Sequence, residues 1–244
     1  MRKRRILNAI TGTTANIKTI ANHYILAPGE FVAISEDTSF LLENYPATAN
    51  GRLIEMDMPS YNIDSGTVYL MLNSAQIDRV SYSVDWQFSL LDNSDGVSLE
   101  RILPNGPSNQ SDNWHSAAEA IGFATPGIVN SQFQYGSDSE SLSLSKDVFS
   151  PDQDGFEDVL LINYAFSNPG NLGKACIYDD MGREIKTLFS NELLGSKGFF
   201  TWDGVTNNQT KAPVGVYILW MEVFSTNGRV IFTKKLAFTL AGKL

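Results

Sequence analysis

The chain has 244 residues, 43% of them hydrophobic and 18% charged, which suffices for a substantial core in one or two domains. Its 27 acidic and 18 basic side chains leave a formal charge of −9, and the one basic cluster is Arg2, Lys3, Arg4 and Arg5, so the footprint of a nucleic-acid binder is missing. No apolar run approaches the roughly 20 residues of a membrane-spanning helix. The lone Cys176 excludes an internal disulfide or a thiolate metal cluster, and with only His23 and His115 most histidine-based catalysis is excluded too.

Met1 to Arg5 begins like the basic start of a signal peptide, but Ile6-Leu7-Asn8-Ala9-Ile10-Thr11-Gly12 supplies no apolar core. Residues 1–16 therefore read as an atypical N-terminal extension, with the natural beginning expected upstream. Short β-branched or aromatic runs bounded by turn residues follow, and they predict strands at His23–Ala27, Glu30–Ser35, Thr67–Leu72, Gln76–Tyr82 and Val97–Ile102. Asn73-Ser74 reads as a tight hairpin turn between two of them. Helical signals are confined to Ser39–Asn44, with Ser39 as the expected cap, and Ser116–Ile121. Asn130 to Ser145 is rich in Ser, Gln, Asp and Gly, a flexible composition that places the domain boundary there.

Beyond it, strands are predicted at Leu142–Leu144, Val159–Phe166, Ala175–Tyr178, Glu184–Leu188, Phe199–Trp202, Val216–Phe224 and Val230–Phe238. Seven strands in about 100 residues describe an immunoglobulin-type sandwich. Val216–Phe224 is nearly all apolar and should be central, with Asn227-Gly228 turning it into the final strand. The charge is uneven: residues 1–140 hold 8 basic and 16 acidic side chains, residues 141–244 hold 10 and 11, as two separate modules would.

The sharpest chemical motif is Ser150-Pro151-Asp152-Gln153-Asp154-Gly155-Phe156-Glu157-Asp158. Alternate carboxylates followed by Gly imitate the opening of a calcium loop, in which hard oxygen ligands converge at a sharp turn. The twelve-residue helix–loop–helix pattern fails, because its bidentate Glu would fall on Asn163. Two readings stay open: a simpler calcium site using Asp152, Asp154, Glu157 and Asp158, or an acidic turn whose side chains accept backbone hydrogen bonds. Trp202-Asp203-Gly204 reads as a strand end and turn, and Glu100-Arg101 as an ion pair near the sheet surface. No serine sits in a Gly-x-Ser-x-Gly elbow and no glycine-rich phosphate loop is present, so no catalytic residue is assigned.

Two resemblances are carried by ordered motifs. Leu26-Ala27-Pro28-Gly29-Glu30-Phe31-Val32, Pro59-Ser60-Tyr61, Gly66-Thr67-Val68-Tyr69-Leu70, Ile77-Asp78-Arg79-Val80-Ser81-Tyr82, Gly96-Val97-Ser98-Leu99-Glu100-Arg101-Ile102, Asp112-Asn113-Trp114 and Ala124-Thr125-Pro126-Gly127 resemble a bacterial lamin-tail domain. Family members usually begin with two further strands, whose pattern is missing here, so this module is expected to lack strands and to expose a sheet edge open to pairing with another chain. Phe149–Asp158, Ile177-Tyr178-Asp179-Asp180-Met181-Gly182-Arg183, Trp202-Asp203-Gly204 and Pro213-Val214-Gly215-Val216-Tyr217 resemble the immunoglobulin-like domain of flagellar hook-capping protein and related C-terminal sorting modules of Bacteroidetes. That resemblance implies export through the type IX route and attachment to the cell surface.

The sequence thus reads as an all-β chain of two immunoglobulin-like antiparallel β-sandwich domains. Residues 17–131 form the lamin-tail-like domain, 132–140 the linker and 141–244 the hook-capping-like domain. The function expected is the non-catalytic tail of a secreted or cell-surface protein, with a binding or spacer module followed by a sorting, anchoring or assembly module. A protein or glycan at the cell surface is the expected partner, nucleic acid is not, and calcium is the cofactor the acidic set would take. The rivals are a calcium-dependent adhesin, or an accessory tail of a secreted nuclease or peptidase whose catalytic domain lies upstream.

Overall fold

A computed structural model describes residues 4–8 (by their backbone), 17–20, 24–72, 75–134 and 140–242. The chain divides into two compact units, Met1–Phe133 and Gln134–Leu244. Among the described residues there are sixteen strands and a single α-helix, so the all-β reading holds.

In the first unit, β1 (Arg4–Asn8), β2 (Ile17–Thr19), β5 (Ser65–Leu72) and β6 (Ala75–Ser83) form an antiparallel sheet in the order β2-β1-β5-β6. Beside β5 runs Arg4–Asn8, a stretch whose sequence reads as an extension outside the fold. β3 (Ala33–Ser35) and β4 (Leu53–Glu55) pair in parallel, and β7 (Leu99–Arg101) pairs antiparallel with β8 (Trp114–Ser116). Helix α1 (Thr38–Asn44) is capped by Asp37, not Ser39: its carboxylate accepts the Phe40 amide at 2.8 Å. Residues 24–27 form no strand, because the chain already turns there, with the Ala27 amide donating to the Glu30 carboxylate at 2.9 Å. His23 and the Asn73-Ser74 turn lie outside the described residues.

The second unit is a sandwich of two sheets. β10 (Val148–Phe149), β12 (Asn171–Asp179), β13 (Glu184–Leu194), β15 (Gly215–Phe224) and β16 (Val230–Leu240) form one, in the order β10-β16-β15-β12-β13. β9 (Ser141–Leu144), β11 (Leu160–Ala165) and β14 (Lys197–Trp202) form the other, in the order β14-β11-β9. Strict alternation along β11 and β15 sends Leu160, Ile162, Tyr164, Tyr217, Leu219, Met221 and Val223 into the space between the sheets. β15 is the central strand, as its unbroken apolar run implies. Trp202 anchors the core, with ring centroids of Phe149, Tyr217 and Phe238 at 5.5, 5.4 and 5.7 Å. Its indole N–H is satisfied by the Val205 carbonyl at 2.9 Å, which lets so large a polar-tipped ring be fully buried.

The core of the first unit is different in kind. Among the described residues its buried apolar side chains are few (Ile54, Phe88, Ile102, Ala117, Ala118, Ala124), while Glu100, Asn113, Ser116, Thr125, Ser131 and Gln132 are buried beside them. Hydrogen bonds do here what hydrocarbon packing does in the second unit. Ser131 and Gln132 have linker-like composition, yet both are locked into this core: the Ser131 hydroxyl accepts the Ala118 amide at 2.8 Å, and the Gln132 side chain donates to the Ser116 carbonyl at 3.0 Å.

Candidate functional site

The acidic motif forms the turn between β10 and β11. A carboxylate three bonds from its own backbone readily accepts amides one or two residues on, and the loop is built from that preference. Asp152 Oδ1 accepts the Asp154 amide at 3.2 Å, and Asp154 Oδ1 accepts the Phe156 amide at 2.8 Å. Asp158 takes two amides, Gln153 at 2.5 Å on Oδ1 and Gly155 at 2.8 Å on Oδ2. The turn is tight enough to need left-handed backbone at Gln153, Gly155 and Glu157, of which Gly155 carries the largest φ, 87°.

This winding brings carboxylate oxygens of Asp152, Asp154 and Asp158 within 4.8 Å of one another. Glu157, the fourth expected ligand, is turned away: it pairs with Lys146 at 3.0 Å, and the same ammonium lies 5.5 Å from the exposed Phe156 ring. The donor set is therefore three hard oxygens from one loop, chemically suited to a calcium ion. Calcium takes six to eight oxygens, so carbonyls or water would have to complete the shell. The loop rests on the Trp202-Asp203-Gly204 turn. A Cβ on Gly204, whose φ is 77°, would stand 2.6 Å from Pro151 Cγ. Asp203 spends its carboxylate on the Val205 amide at 3.0 Å, which makes it a turn former.

In the first unit Glu100 and Arg101 do not pair with each other. Successive strand residues point to opposite faces, so Glu100 goes inward and Arg101 outward. Arg101 meets Asp78 at 3.1 Å and lies 5.8 Å from the Trp114 ring centroid. Partial burial opposes the charge on Asp78, but hydrogen bonds from Ser108 and the Arg79 amide, with the Arg101 charge, hold its carboxyl below the usual range. Glu100 is buried with neutral partners: it accepts from the hydroxyls of Thr125 and Ser131 and, at 3.2 Å, from the Gln132 amide. Burial pushes its carboxyl up despite those bonds. His115, across the ladder from Glu100, lies tilted against Phe88 with ring centroids 5.4 Å apart, and burial lowers its imidazole below the ordinary value. These are the surroundings of structural groups.

A cleft of about 480 Å³, lined by Ile63, Val80, Tyr82, Val97, Leu99 and Trp114 among others, opens beside β6. Sequence reasoning passed over it, since its lining comes from four separate segments and only the alternation of Gln76–Tyr82 hints at an inward apolar face. Among the described residues no helix is long and apolar enough to cross a membrane.

An all-β chain with an immunoglobulin-type sandwich and an acidic turn is the class that fold and site define. Residues 143–236, less than half of the chain, match the CHU_C Type IX secretion signal domain, a family whose description implies a secreted or cell-surface protein. No curated protein matches the chain. Among solved structures it is similar to CopC from Methylosinus trichosporium OB3b, at 17% identity over 43% of this chain and 95% of that one, with a TM-score of 0.29. It is also similar to dimeric latent PorU from Porphyromonas gingivalis, at 14% identity and a TM-score of 0.31, and to PorZ, a surface component of the type-IX secretion system of that organism, at 15% and 0.29. These alignments cover 75% and 74% of this chain but only 13% and 22% of the two Porphyromonas proteins.

Proposed function

We propose that the chain is the non-catalytic tail of an exported protein, in which residues 141–244 sort it through the type IX route and anchor or assemble it at the cell surface. The observation that carries this reading is the match of residues 143–236 to the type IX secretion signal domain, which spans all but the ends of the second sandwich. Residues 17–131, the lamin-tail-like part, would serve as a spacer or as a binding module for a surface protein or glycan. The burial of Glu100 among neutral donors, and the packing of half-buried His115 against Phe88, support assigning no catalysis to this part.

The test is to place the intact chain behind a reporter already delivered to the periplasm of a bacterium with a type IX system. The reporter should then appear on the surface or in the medium, and should stay in the periplasm when the transporter is deleted. Periplasmic retention in the intact strain, or release that ignores the transporter, would end this reading.

A second reading is favoured by the convergence of Asp152, Asp154 and Asp158, whose carboxylate oxygens lie within 4.8 Å of one another. Calcium held there would stiffen the turn that docks Pro151 against Gly204. Calorimetric titration with calcium, against a chelated control, decides it: absence of binding up to millimolar calcium leaves the three acids as turn formers.

A further inference from the structure

Among the described residues, the outer edge of β16 is paired only at Thr239 and Leu240. In an antiparallel ladder, residues alternate between pairs that exchange both hydrogen bonds and pairs whose main-chain groups point away from each other. The phase is set by β10: the Thr239 amide donates outward to the Asp147 carbonyl at 2.8 Å. Counting back by twos, Ala237, Lys235 and Thr233 also point away from β15, opposite Ile218, Trp220 and Glu222. β10 reaches only Thr239 and Leu240. Among the described residues nothing pairs with the outward main-chain groups of Thr233, Lys235 and Ala237, and all three residues are exposed.

Two other long edges are closed by the chain itself. Along β6 the Ser81 amide is taken by Asn109 at 2.7 Å and the Arg79 amide by the Asp78 carboxylate at 2.8 Å. Along β13, Asn207 stands in for a neighbouring strand: its side chain accepts the Thr187 amide at 3.0 Å, and its own amide donates to the Ile185 carbonyl at 2.9 Å. On β16, Lys234 turns inward to the Leu142 carbonyl at 2.9 Å, sealing the side of the sandwich while leaving the edge open.

We propose that the Thr233–Ala237 edge of β16 accepts one extended segment of a partner protein, joined by main-chain hydrogen bonds and carrying an acidic residue opposite Lys235. Strand addition of this kind takes affinity from the backbone and specificity from alternate side chains. A second copy of the chain fits poorly. Self-pairing centred on Lys234 or Lys235 sets a lysine against its own copy, an unfavourable cross-strand pair. Centring on Leu236 brings Thr239 of each copy, already covered by β10, against Thr233 of the other. Centring on Thr233 sets Ala237 against Arg229, which precedes the strand, so a different chain with a carboxylate opposite Lys235 fits the edge better. The sorting reading would make that partner a component of the export or anchoring machinery, and the proposal rests on that reading for the partner's place alone.

The probe is a nine-residue peptide of alternating Thr and Val with a central Glu, compared with one carrying a central Lys, each added to the full chain. The Glu peptide should slow hydrogen exchange at the amides of Thr233, Lys235 and Ala237, and should change the fluorescence of Trp220, the cross-strand neighbour of Lys235. The Lys peptide should bind about fivefold more weakly, and Lys235→Glu should reverse the preference. A second variant, Thr233→Pro, removes one outward amide and should weaken both peptides while unit 2 still melts cooperatively. Unprotected amides with both peptides, a preference unmoved by Lys235→Glu, or self-association of the free chain through β16 would each overturn the proposal. Reporter export by the intact chain reads sorting separately, so the two readings can fail independently.

Discussion

Replacing Glu100 probes how the first unit holds together. Its residue is 2% exposed, and its carboxylate collects donors from three residues, Thr125, Ser131 and Gln132, with no cation beside it among the described residues. Glu100→Ala strands these buried donors, and at about 1–3 kcal/mol per buried unsatisfied group the loss should be at least about 3 kcal/mol. That is a large part of the roughly 5–15 kcal/mol by which a domain is stable. Glu100→Gln keeps one acceptor oxygen and should lose about 1–2 kcal/mol near neutrality. The two differ again with pH. The folded carboxyl is raised, so below the ordinary Glu range it is neutral in both states and costs nothing. As pH rises through that range the unfolded chain ionises first, and stability falls until the folded group ionises too. Wild type should therefore lose ground to Glu100→Gln as pH climbs from about 4. Urea unfolding at a series of pH values, followed by the methyl signals of the buried Ala117 and Ala118, measures this directly. A difference that is flat, or that grows in favour of wild type with rising pH, would show that the three donors outweigh burial and refute the reasoning.

Other substitutions address the second unit. Trp202→Ala removes the ring against which Phe149, Tyr217 and Phe238 pack and should cost about 3–5 kcal/mol, read from the urea midpoint of that unit. Gly204→Ala combines a left-handed backbone with a Cβ 2.6 Å from Pro151 Cγ, and should lower the same midpoint by at least about 2 kcal/mol. Asp152→Ala with Asp154→Ala should abolish any rise in melting temperature that calcium produces in wild type, checked by calorimetry with and without chelator. Asn207→Ala should cost about 1 kcal/mol and bare the β13 edge, so sedimentation should show concentration-dependent association that wild type lacks.

Much of the second unit is legible in the sequence because its strands alternate cleanly or are apolar throughout. Val216–Phe224 announces a central strand by itself. β13 runs on to Leu194, beyond the expected Leu188, because Ser190, Asn191 and Glu192 lie on an edge where polar residues cost nothing; Asn191 has a positive φ, 58°. The parallel pairing of β10 with β16 leaves no local trace, since 90 residues separate Phe149 from Thr239. The first unit is harder to read because its core is polar. Glu100, Ser131 and Gln132 look like surface or linker residues until the donors around them are known. At the acidic turn the spacing of Asp152, Asp154 and Asp158 announces their convergence, but the diversion of Glu157 depends on Lys146, eleven residues upstream.

The strand order of the second unit also sets when it can fold. β15 joins β12 to β16, and β10 is held in the sheet through β16 alone. A chain emerging from the ribosome as far as residue 200 has made β9, β11, β12 and β13, yet its Leu160 and Ile177 still lack Tyr217, Leu219 and Met221 of the central strand and Phe238 of the last. The contacts that close the core span most of the unit's sequence, an arrangement that folds slowly because distant segments must meet before any are rewarded. The sandwich is thus assembled from its last-made strands, and a chain still lacking them stays open, its apolar faces accessible to whatever handles unfolded protein.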